Sequence, residues 1–338
     1  MTEAALRPAS PLMTVVMYHF VQPPDEGPVA GLRSLDLSAF QEQLVYIRRH
    51  YTPVSVADII RFVDEGAPLP PRPIVLTFDD GYRGHYRHAF PALNAFSMPA
   101  VFFPVASALV GRQILDVNKI QCLLAVTNEV GRLVEAIETA VDQARRDGDV
   151  LAPSEYRAKW WKPSRWDPAP VVYVKRLLQH VLPESVRRPL VDAMFREFVT
   201  RDEAAFADAL YMNVSEAREL HAAGMTVGAH GDRHVRLTSL ETADQAREID
   251  GALRVLDVLG LPRQRFAYCY ANGDFDERSV ALLRERRCGL AFTTQPALAR
   301  IDGDHMLTLP RLDANDLPTR ATDAPNEWTR RAAEPDPS

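Results

Sequence analysis

Two neighbouring aspartates give the sequence its first candidate for metal binding and proton transfer. Asp79 and Asp80 follow the apolar run Ile74–Phe78, and Gly81 comes directly after them. Adjacent carboxylates repel each other and lose solvation unless a cation lies nearby. Neighbouring side chains on a strand also point in opposite directions, so the two carboxylates can do different work. A single aspartate is commonly a helix cap, but the pair predicts a functional site.

Two histidines four positions apart form the second candidate. His230 and His234 follow the apolar run Met225–Ala229, and Gly231 and Asp232 favour a loop over a helix between them. Both imidazoles can still reach one ion. Borderline divalent metals bind neutral imidazole together with carboxylate, and three protein ligands with an open position are typical of catalytic zinc. The histidine spacing alone is a weak signal, and the aspartate pair strengthens it.

Strands and helices in alternation must position these side chains. Apolar runs typical of strands covered on both faces are separated by helix-length amphipathic segments such as Phe40–His50. The strand-like runs are Thr14–Tyr18, Ile74–Phe78, Ala100–Phe103, Met225–Val227, Phe266–Tyr268 and Leu290–Thr293. This alternation predicts an α/β fold, either an open sheet or a barrel.

One region breaks the alternation. Residues 113–200 contain no convincing strand, but Val130–Ala144 and Pro183–Val199 each place apolar residues on one helical face. We therefore expect a core domain of residues 1–112 and 201–322, a helical insertion at 113–200, and a polar, flexible tail at 323–338.

Aromatic residues are concentrated in one stretch of this insertion. Three of the four tryptophans fall within seven positions, close to the basic residues Lys159, Lys162 and Arg165; they are Trp160, Trp161 and Trp166. Such residues pack the core of a small subdomain, and rings with flanking cations also suit sugar stacking or a membrane surface. The sequence leaves these interpretations open.

Composition excludes several classes of protein. The chain has 338 residues, 46% of them hydrophobic and 25% charged, which is the balance of a globular protein. A net charge of −6 lacks the basic footprint of a nucleic-acid binder. No apolar run is long enough to span a bilayer. The N-terminus lacks the basic segment followed by an apolar segment that is typical of a signal peptide. With three cysteines, the sequence predicts a cytoplasmic protein. Peripheral association with the inner membrane face and the oligomeric state stay open.

An ordered series of motifs resembles the polysaccharide deacetylase family, also known as NodB-homology or carbohydrate esterase family 4. Its first motif is similar to Thr77–Tyr82, its second to His230–His234 and its third to Cys269–Gly273. The run Val16–His19 resembles the permuted subgroup, in which the histidine-bearing strand comes first. The resemblance implies a distorted (β/α)7-type barrel, with the helical insertion as a lid or specificity subdomain.

The resemblance also implies an activity. Family members of this kind are metal-dependent N-deacetylases, which remove an acetyl or other acyl group from an amino sugar. The expected role is in intracellular glycan or surface-polysaccharide biosynthesis, on a nucleotide-linked, lipid-linked or polymeric sugar. Zinc is the expected divalent metal, with cobalt, nickel and manganese as alternatives.

Site residues follow from the family motifs position by position. The resemblance makes Asp79 the catalytic base that activates the attacking water, and it makes Asp80, His230 and His234 the metal ligands. His19 matches the acid that protonates the leaving amine, with His305 as an alternative donor. The backbone around Asn272 is expected to stabilise the oxyanion.

Three positions depart from the family pattern. Gly231 replaces a residue with a hydroxyl, Ala271 replaces a proline, and Cys269 stands where many members have an arginine that holds the base. We expect Arg311 to replace that arginine, because it follows a predicted late strand at Met306–Leu309. A surface ion pair is its alternative role.

Two other functions stay open at this stage. A cyclic amide or ureide amidohydrolase would use the same metal chemistry in a differently shaped pocket. A non-catalytic glycan-binding protein would keep the fold without turnover, and the altered third motif allows it. His85, four residues after Gly81, is expected on a helix surface.

Overall fold

The computed structural model describes residues 12–24, 26–29, 31–127, 129–145, 150–165, 167–303 and 305–334. The chain divides into two compact units. One comprises the residues up to 23, 34–112 and the residues from 210 onward, and the other comprises 24–33 and 113–209. The second unit thus takes in residues 24–33 and 201–209, which lie outside the predicted insertion.

Strands in the described residues all belong to the first unit. They are β1 Leu12–Tyr18, β2 Val21–Gln22, β3 Leu35–Asp36, β4 Thr52–Pro53, β5 Pro73–Asp80, β6 Ala100–Pro104, β7 Thr226–Val227, β8 Ala267–Cys269, β9 Leu290–Phe292, β10 Ala299–Arg300 and β11 Leu312–Asp313.

The main parallel strands close into a ring. β1 pairs with β5, β5 with β6, and β6 with β7. Ala229, just after β7, bridges to Tyr268 of β8, which pairs with β9. Phe292 of β9 bridges to Leu309, and β11 returns to β1. Because every one of these pairings is parallel, the structure confirms the predicted barrel of (β/α)7 type.

Alternation along the strands explains why their sequences are apolar throughout. Val15 and Val75 belong to a core cluster shared with Phe292 of β9, whereas Val16 and Leu76 belong to a second cluster shared with helix residues. One face of each strand therefore fills the barrel and the other is covered by helices, as parallel sheets require.

The first two helices of the first unit begin at side-chain caps. Asp36 accepts a hydrogen bond from the backbone N–H of Ser38 at the start of the first helix, and Ser55 forms a capping box at the second. Gly66 ends that second helix with a left-handed φ of 71°. These helices are α1 Leu37–His50, α2 Val56–Glu65, α3 Phe90–Ala95 and α4 Ala106–Leu109.

The described residues of the second unit form helices and no strands. Its helices are α5 Asp116–Val126, α6 Val130–Ala144, α7 Pro153–Trp160, α8 Ala169–Arg176, α9 Glu184–Phe198 and α10 Glu203–Leu210, the last ending at the unit boundary. They enclose their own apolar core, and both Trp160 and Trp161 pack against it. This packing favours the core interpretation for these two rings; Trp166 lies outside the described residues.

The remaining helices return to the first unit: α11 Val214–Ala222, α12 Thr242–Ala252, α13 Arg254–Leu259, α14 Glu277–Glu285 and α15 Glu327–Arg331. α15 corrects the expected free tail from residue 323. Its Thr329 is 3% exposed and is hydrogen-bonded to the hydroxyls of Tyr46 and Tyr51, so polar contacts fix this segment. Among the described helices, none combines the length and apolarity needed to cross a membrane.

Candidate active site

The candidate side chains gather at the carboxyl ends of the barrel strands, where barrel enzymes collect their chemistry. Asp79 and Asp80 complete β5, His19 follows β1, and His230 lies just after β7. Arg311 comes directly before β11. The predicted late strand at Met306–Leu309 is shorter in the structure, where only Leu309 makes a bridge.

Asp80, His230 and His234 form a cluster with the donor set of a metal site. One ligand atom from each residue lies within 4.8 Å of the others. Oδ1 of Asp80 is 3.5 Å from Nε2 of His230 and 3.3 Å from Nε2 of His234. This oxygen is buried without a hydrogen-bond partner, which costs free energy unless a cation or proton satisfies it.

The contacts behind these ligands fix their orientation. Nδ1–H of His230 donates to the carbonyl of Cys269 over 2.8 Å, which orients the ring so that its Nε2 faces Oδ1 of Asp80. The Tyr82 hydroxyl donates to Oδ2 of Asp80 over 2.6 Å. Burial lowers the pKa of His234 to about 4, so its imidazole is neutral near pH 7. A neutral imidazole is the form that binds metal, so His234 can bind a divalent cation directly. Burial lowers the pKa of His230, but Cys269, Asp80 and Asp79 outweigh it and raise that pKa well above its usual value, so His230 would release a proton on binding. With that proton released, the three residues fit a divalent cation.

Backbone strain accompanies two of these ligands. Asp80 has a φ of 71° and His234 a φ of 60°, and both values lie in the left-handed region that non-glycine residues rarely adopt. Gly81 follows with a φ of 74°, and a Cβ there would approach Cβ of Pro104 to 2.6 Å. Such conformations persist where the surrounding structure imposes them, commonly at functional sites.

Asp79 is held by a buried arginine. Arg311 donates from its two terminal nitrogens to Oδ1 and Oδ2 of Asp79, over 2.8 and 2.7 Å. Its Nε donates to the carbonyl of Thr293, and a terminal nitrogen also reaches the hydroxyl of Thr77. The Arg311 side chain is 0% exposed. Such a forked pair fixes both the position and the charge of the carboxylate.

The electrostatics of Asp79 follow from this pair. Burial alone raises its pKa, but the nearby charges of Arg311 and His230 reverse the effect and lower the pKa of Asp79 to about 2. The carboxylate is therefore ionised near pH 7. Asp80 behaves alike: burial raises its pKa, and the neighbouring histidines bring it well below its usual range.

Cys269 lies beside the pair and offers a second possible ligand set. Asp79, His230 and Cys269 also lie within 4.8 Å of one another. Both oxygens of Asp79 are already bound by Arg311, and burial raises the pKa of the Cys269 thiol. A protonated thiol and an occupied carboxylate are poor ligands, so the Asp80 set fits a metal better.

His19 is exposed and close to both carboxylates. Its charge is among the influences that lower the pKa of Asp79 and that of Asp80. Its backbone carbonyl accepts a hydrogen bond from Nε2 of His85 over 2.5 Å. His305, the alternative acid, has a side chain that is 59% exposed and is paired with Asp302.

Asn272 lies in a short 3₁₀ turn after β8 with a left-handed φ of 58°. The N–H groups of Gly273 and Asp274 donate to the carbonyls of Tyr270 and Ala271. These two donors are therefore engaged inside the turn, and the oxyanion role of the backbone at Asn272 stays a prediction.

The contacts of three residues near the site were not predicted from the sequence. His85, expected on a helix surface, is 0% exposed and packs beside Phe78 and Tyr82. It begins a π-helical turn, His85–Ala89, whose wider spacing departs from the expected α-helical face. Tyr82 was identified only as part of the first motif, without its hydrogen bond to Asp80. Glu248 was missed, because a helical glutamate is commonly a surface residue.

Two solved structures resemble the whole chain in fold. The deacetylase PplD of Streptococcus pyogenes, solved in complex with acetate, matches with a TM-score of 0.56 at 15% identity, over 96% of this chain and 100% of that one. IcaB from Ammonifex degensii matches with a TM-score of 0.54 at 18% identity, over 97% of each chain. At these identities the likeness shows a shared fold.

Sequence comparison gives a closer relation over part of the chain. The poly-beta-1,6-N-acetyl-D-glucosamine N-deacetylase of Escherichia coli (strain K12) is 34% identical over 146 residues, which is 43% of this chain. The match spans only 17% of that relative's own length. The polysaccharide deacetylase family model matches residues 66–143 and 198–291, the two stretches that hold the aspartate pair and both histidines. The chain belongs to the polysaccharide deacetylase family.

Proposed function

We propose that this protein is a metal-dependent N-deacetylase that acts on a polymer of N-acetylated amino sugars. One observation carries the proposal: a carboxylate fixed and kept charged by a buried arginine lies next to an aspartate and two histidines with the donor set of a metal site. Amide hydrolysis needs both a positioned base and an electrophilic cation, and this arrangement suits the two requirements.

Asp80, His230 and His234 would hold the cation. Two imidazoles and one carboxylate suit zinc best, while cobalt, nickel and manganese bind similar donors. When bound, the cation supplies Lewis-acid polarisation of the acyl carbonyl. Asp79 takes a proton from the attacking water, and Arg311 keeps that carboxylate ionised and oriented.

The leaving amine needs a proton before it can depart. His19 is the proposed donor, because an imidazole exchanges protons near neutral pH and this one is exposed next to the carboxylates. The backbone at Asn272 is the proposed oxyanion donor. Both assignments follow the family positions and are supported by location alone.

A polymeric substrate is favoured by the partial likeness to the Escherichia coli enzyme, whose name specifies poly-beta-1,6-N-acetyl-D-glucosamine. We therefore place polymers ahead of nucleotide-linked and lipid-linked sugars. The intact base, acid and ligand set argues against a non-catalytic glycan-binding protein, since binding alone needs no proton transfer.

The direct test measures acetate released from β-1,6-linked N-acetylglucosamine oligomers. Protein stripped with a chelator should be inactive, zinc should restore activity, and Asp79→Asn should bind zinc without turnover. Cyclic amides and ureides serve as the competing substrates. Turnover of those compounds instead, or acetate release that is indifferent to chelation and to Asp79→Asn, would overturn the proposal.

A further inference from the structure

The loop that carries both histidine ligands is short and strained. Gly231 has a φ of 77° and His234 a φ of 60°, so two of its five residues are left-handed. His230 is 2% exposed, which means that the loop begins inside the protein rather than at its surface. A loop of this kind needs contacts from outside itself to hold its shape.

Glu248, on α12, supplies the most direct of these contacts. Its Oε1 accepts hydrogen bonds from the backbone N–H groups of Asp232 and Arg233, over 2.9 and 2.7 Å. Its Oε2 pairs with Nε of Arg233 over 3.2 Å. The Glu248 side chain is 1% exposed, so one buried carboxylate fixes two successive peptide groups between the ligands.

The opposite side of the loop is held by backbone donors. The N–H groups of Ala106 and Ser107, at the start of α4, donate to the carbonyls of Gly231 and Asp232 over 3.2 and 2.9 Å. Asp232 is thus bound through its N–H by Glu248 and through its carbonyl by Ser107. The peptide between Gly231 and Asp232 is held at its carbonyl by Ala106 and at its N–H by Glu248, and the next peptide is held in the same way by Ser107 and Glu248. Neither of these two peptide planes is therefore free to rotate.

Gly231 fits the same design. An ideal Cβ at this position would lie 3.2 Å from Oε1 of Glu248, and its φ of 77° already disfavours a side chain. A hydroxyl on residue 231 would therefore compete with Glu248 for space. The glycine therefore leaves room for the Glu248 carboxylate.

We propose that Glu248 is a positioning residue that presets His230 and His234 for metal binding. The proposal rests on the proposed function, since it assumes that these histidines bind a divalent cation. Glu248 would not touch the metal or the substrate. It would act by holding the loop in its strained conformation before the metal arrives.

The test compares three changes at Glu248, with zinc as the probe and a competing chromophoric chelator as the reporter. Glu248→Leu removes the acceptor and should weaken zinc affinity about 10- to 100-fold, the usual effect of losing a contact behind a ligand. Glu248→Gln keeps an oxygen facing both N–H groups and should lose less than about tenfold. Glu248→Asp keeps the charge but is shorter, and should lie between them. If Glu248→Leu fails to fold, the zinc affinity of Glu248→Asp provides the test instead.

Gln245→Leu is the matched control. Gln245 is buried on the same helix one turn earlier, and its amide binds the carbonyl of Leu237 rather than the ligand loop. Gln245→Leu should lower the melting temperature of the metal-free protein about as much as Glu248→Leu does, while its zinc affinity stays close to that of the wild type. Equal losses of affinity in Gln245→Leu and Glu248→Leu, or wild-type affinity in Glu248→Leu, would overturn the inference.

Amide hydrogen exchange in the metal-free protein separates this inference from the proposed function. The amides of Asp232 and Arg233 should be protected in the wild type and should exchange much faster in Glu248→Leu. If the wild type fails to bind zinc but shows this pattern, the proposed function fails while the role of Glu248 in holding the loop survives. If the two amides exchange equally in both proteins, the inference fails whatever the metal result.

Discussion

At the scale of single residues, the pairing of Asp79 with Arg311 separates two tasks that adjacent carboxylates would otherwise compete for. Both oxygens of Asp79 are bound by the guanidinium, whereas Oδ1 of Asp80 is buried with no partner. In the proposed mechanism a cation therefore binds at Asp80, and a remaining lone pair of the Asp79 carboxylate accepts the proton. Asp79 rather than Asp80 is the proposed base because Arg311 binds the Asp79 carboxylate.

The first prediction tests that division of labour. His230→Ala or His234→Ala should remove most bound zinc, because each takes away one of only three protein ligands. Asp79→Asn should keep the zinc and lose about 10²–10⁴ in kcat, the usual contribution of a general base. Metal analysis of the purified variants checks this. Loss of zinc in Asp79→Asn with retention in Asp80→Asn would mean that the two aspartates have exchanged roles.

The second prediction concerns Arg311. Arg311→Met leaves a buried carboxylate without its partner and should destabilise the fold by about 3–5 kcal/mol in chemical denaturation. Arg311 lowers the pKa of Asp79, so its removal should raise that pKa. Activity should therefore be lost at a higher pH on the acid side of the rate profile.

The double variant Asp79→Asn/Arg311→Met is the control for the arginine. It buries no unpaired charge and should recover much of the lost stability without recovering activity. An unchanged acid limb in Arg311→Met would show that the arginine does not set the protonation of the base.

His85 gives the third prediction. It donates to the His19 carbonyl and lies in an aromatic cluster, so His85→Leu should misplace the proposed acid. Amide hydrolysis should fall more than cleavage of an activated acetate ester, whose leaving group needs no proton. His85→Gln keeps a donor near the same place and should recover part of the amide rate. Equal losses on both substrates would mean that His85 only supports the fold.

At this scale, motifs of neighbouring residues can be predicted from the sequence, whereas contacts between residues far apart in the chain cannot. The aspartate pair and the histidine pair can be recognised in the sequence because the residues of each pair lie within five positions of one another. Arg311 lies 232 positions from Asp79, and only barrel closure brings it there. Its pairing could be predicted from the family resemblance but not from spacing. The burial of Glu248 could not be predicted, because an isolated glutamate on a helix is usually exposed to solvent.

At the scale of elements, the barrel depends on close approach between strands. Gly228 lies at the end of β7, where its N–H donates to the carbonyl of Phe102. A Cβ on Gly228 would come within 2.4 Å of the Phe103 ring and 2.6 Å of the Ala267 carbonyl. The strand that carries the ligand loop can therefore reach β8 only because this residue lacks a side chain.

This packing leads to the fourth prediction. Gly228→Ala should destabilise the protein by about 1–3 kcal/mol, as overpacking of a filled core does. It should also weaken zinc binding, because His230 is only two residues away. Gly131→Ala is the matched control: like Gly228 it has no left-handed φ, but no atom lies within 4 Å of the added Cβ. A Gly228→Ala protein with normal stability would contradict the close approach.

The sequence predicted long elements better than short ones. Helix α6 has the predicted bounds Val130–Ala144, and α9 differs from its prediction by one residue at each end. Pairs of residues such as those of β2, β3 and β10 were not predicted, because two residues have too little periodicity to detect. Their pairing is set by the neighbouring strands.

At the scale of the whole molecule, the proposed site residues and the inserted helices belong to different units of the chain. Every residue assigned to the proposed site belongs to the first unit, and the second unit has its own apolar core. Residues 144–197 lie outside both stretches matched by the family model. Only this middle part of the second unit is additional to the family model, because residues 113–143 and 198–209 lie within the matched stretches.

The last prediction follows from that separation. Replacing residues 113–209 by a short Gly-Ser linker should leave zinc affinity close to wild type, because all three proposed ligands remain. If the second unit is a lid or a specificity subdomain, the same deletion should change the relative rates on N-acetylglucosamine oligomers of different length. A small activated acetate ester is the internal control, since it needs no extended contact and should be cleaved at a similar rate. Unchanged rates across the oligomer series, with the ester control intact, would exclude a role for this unit in substrate selection.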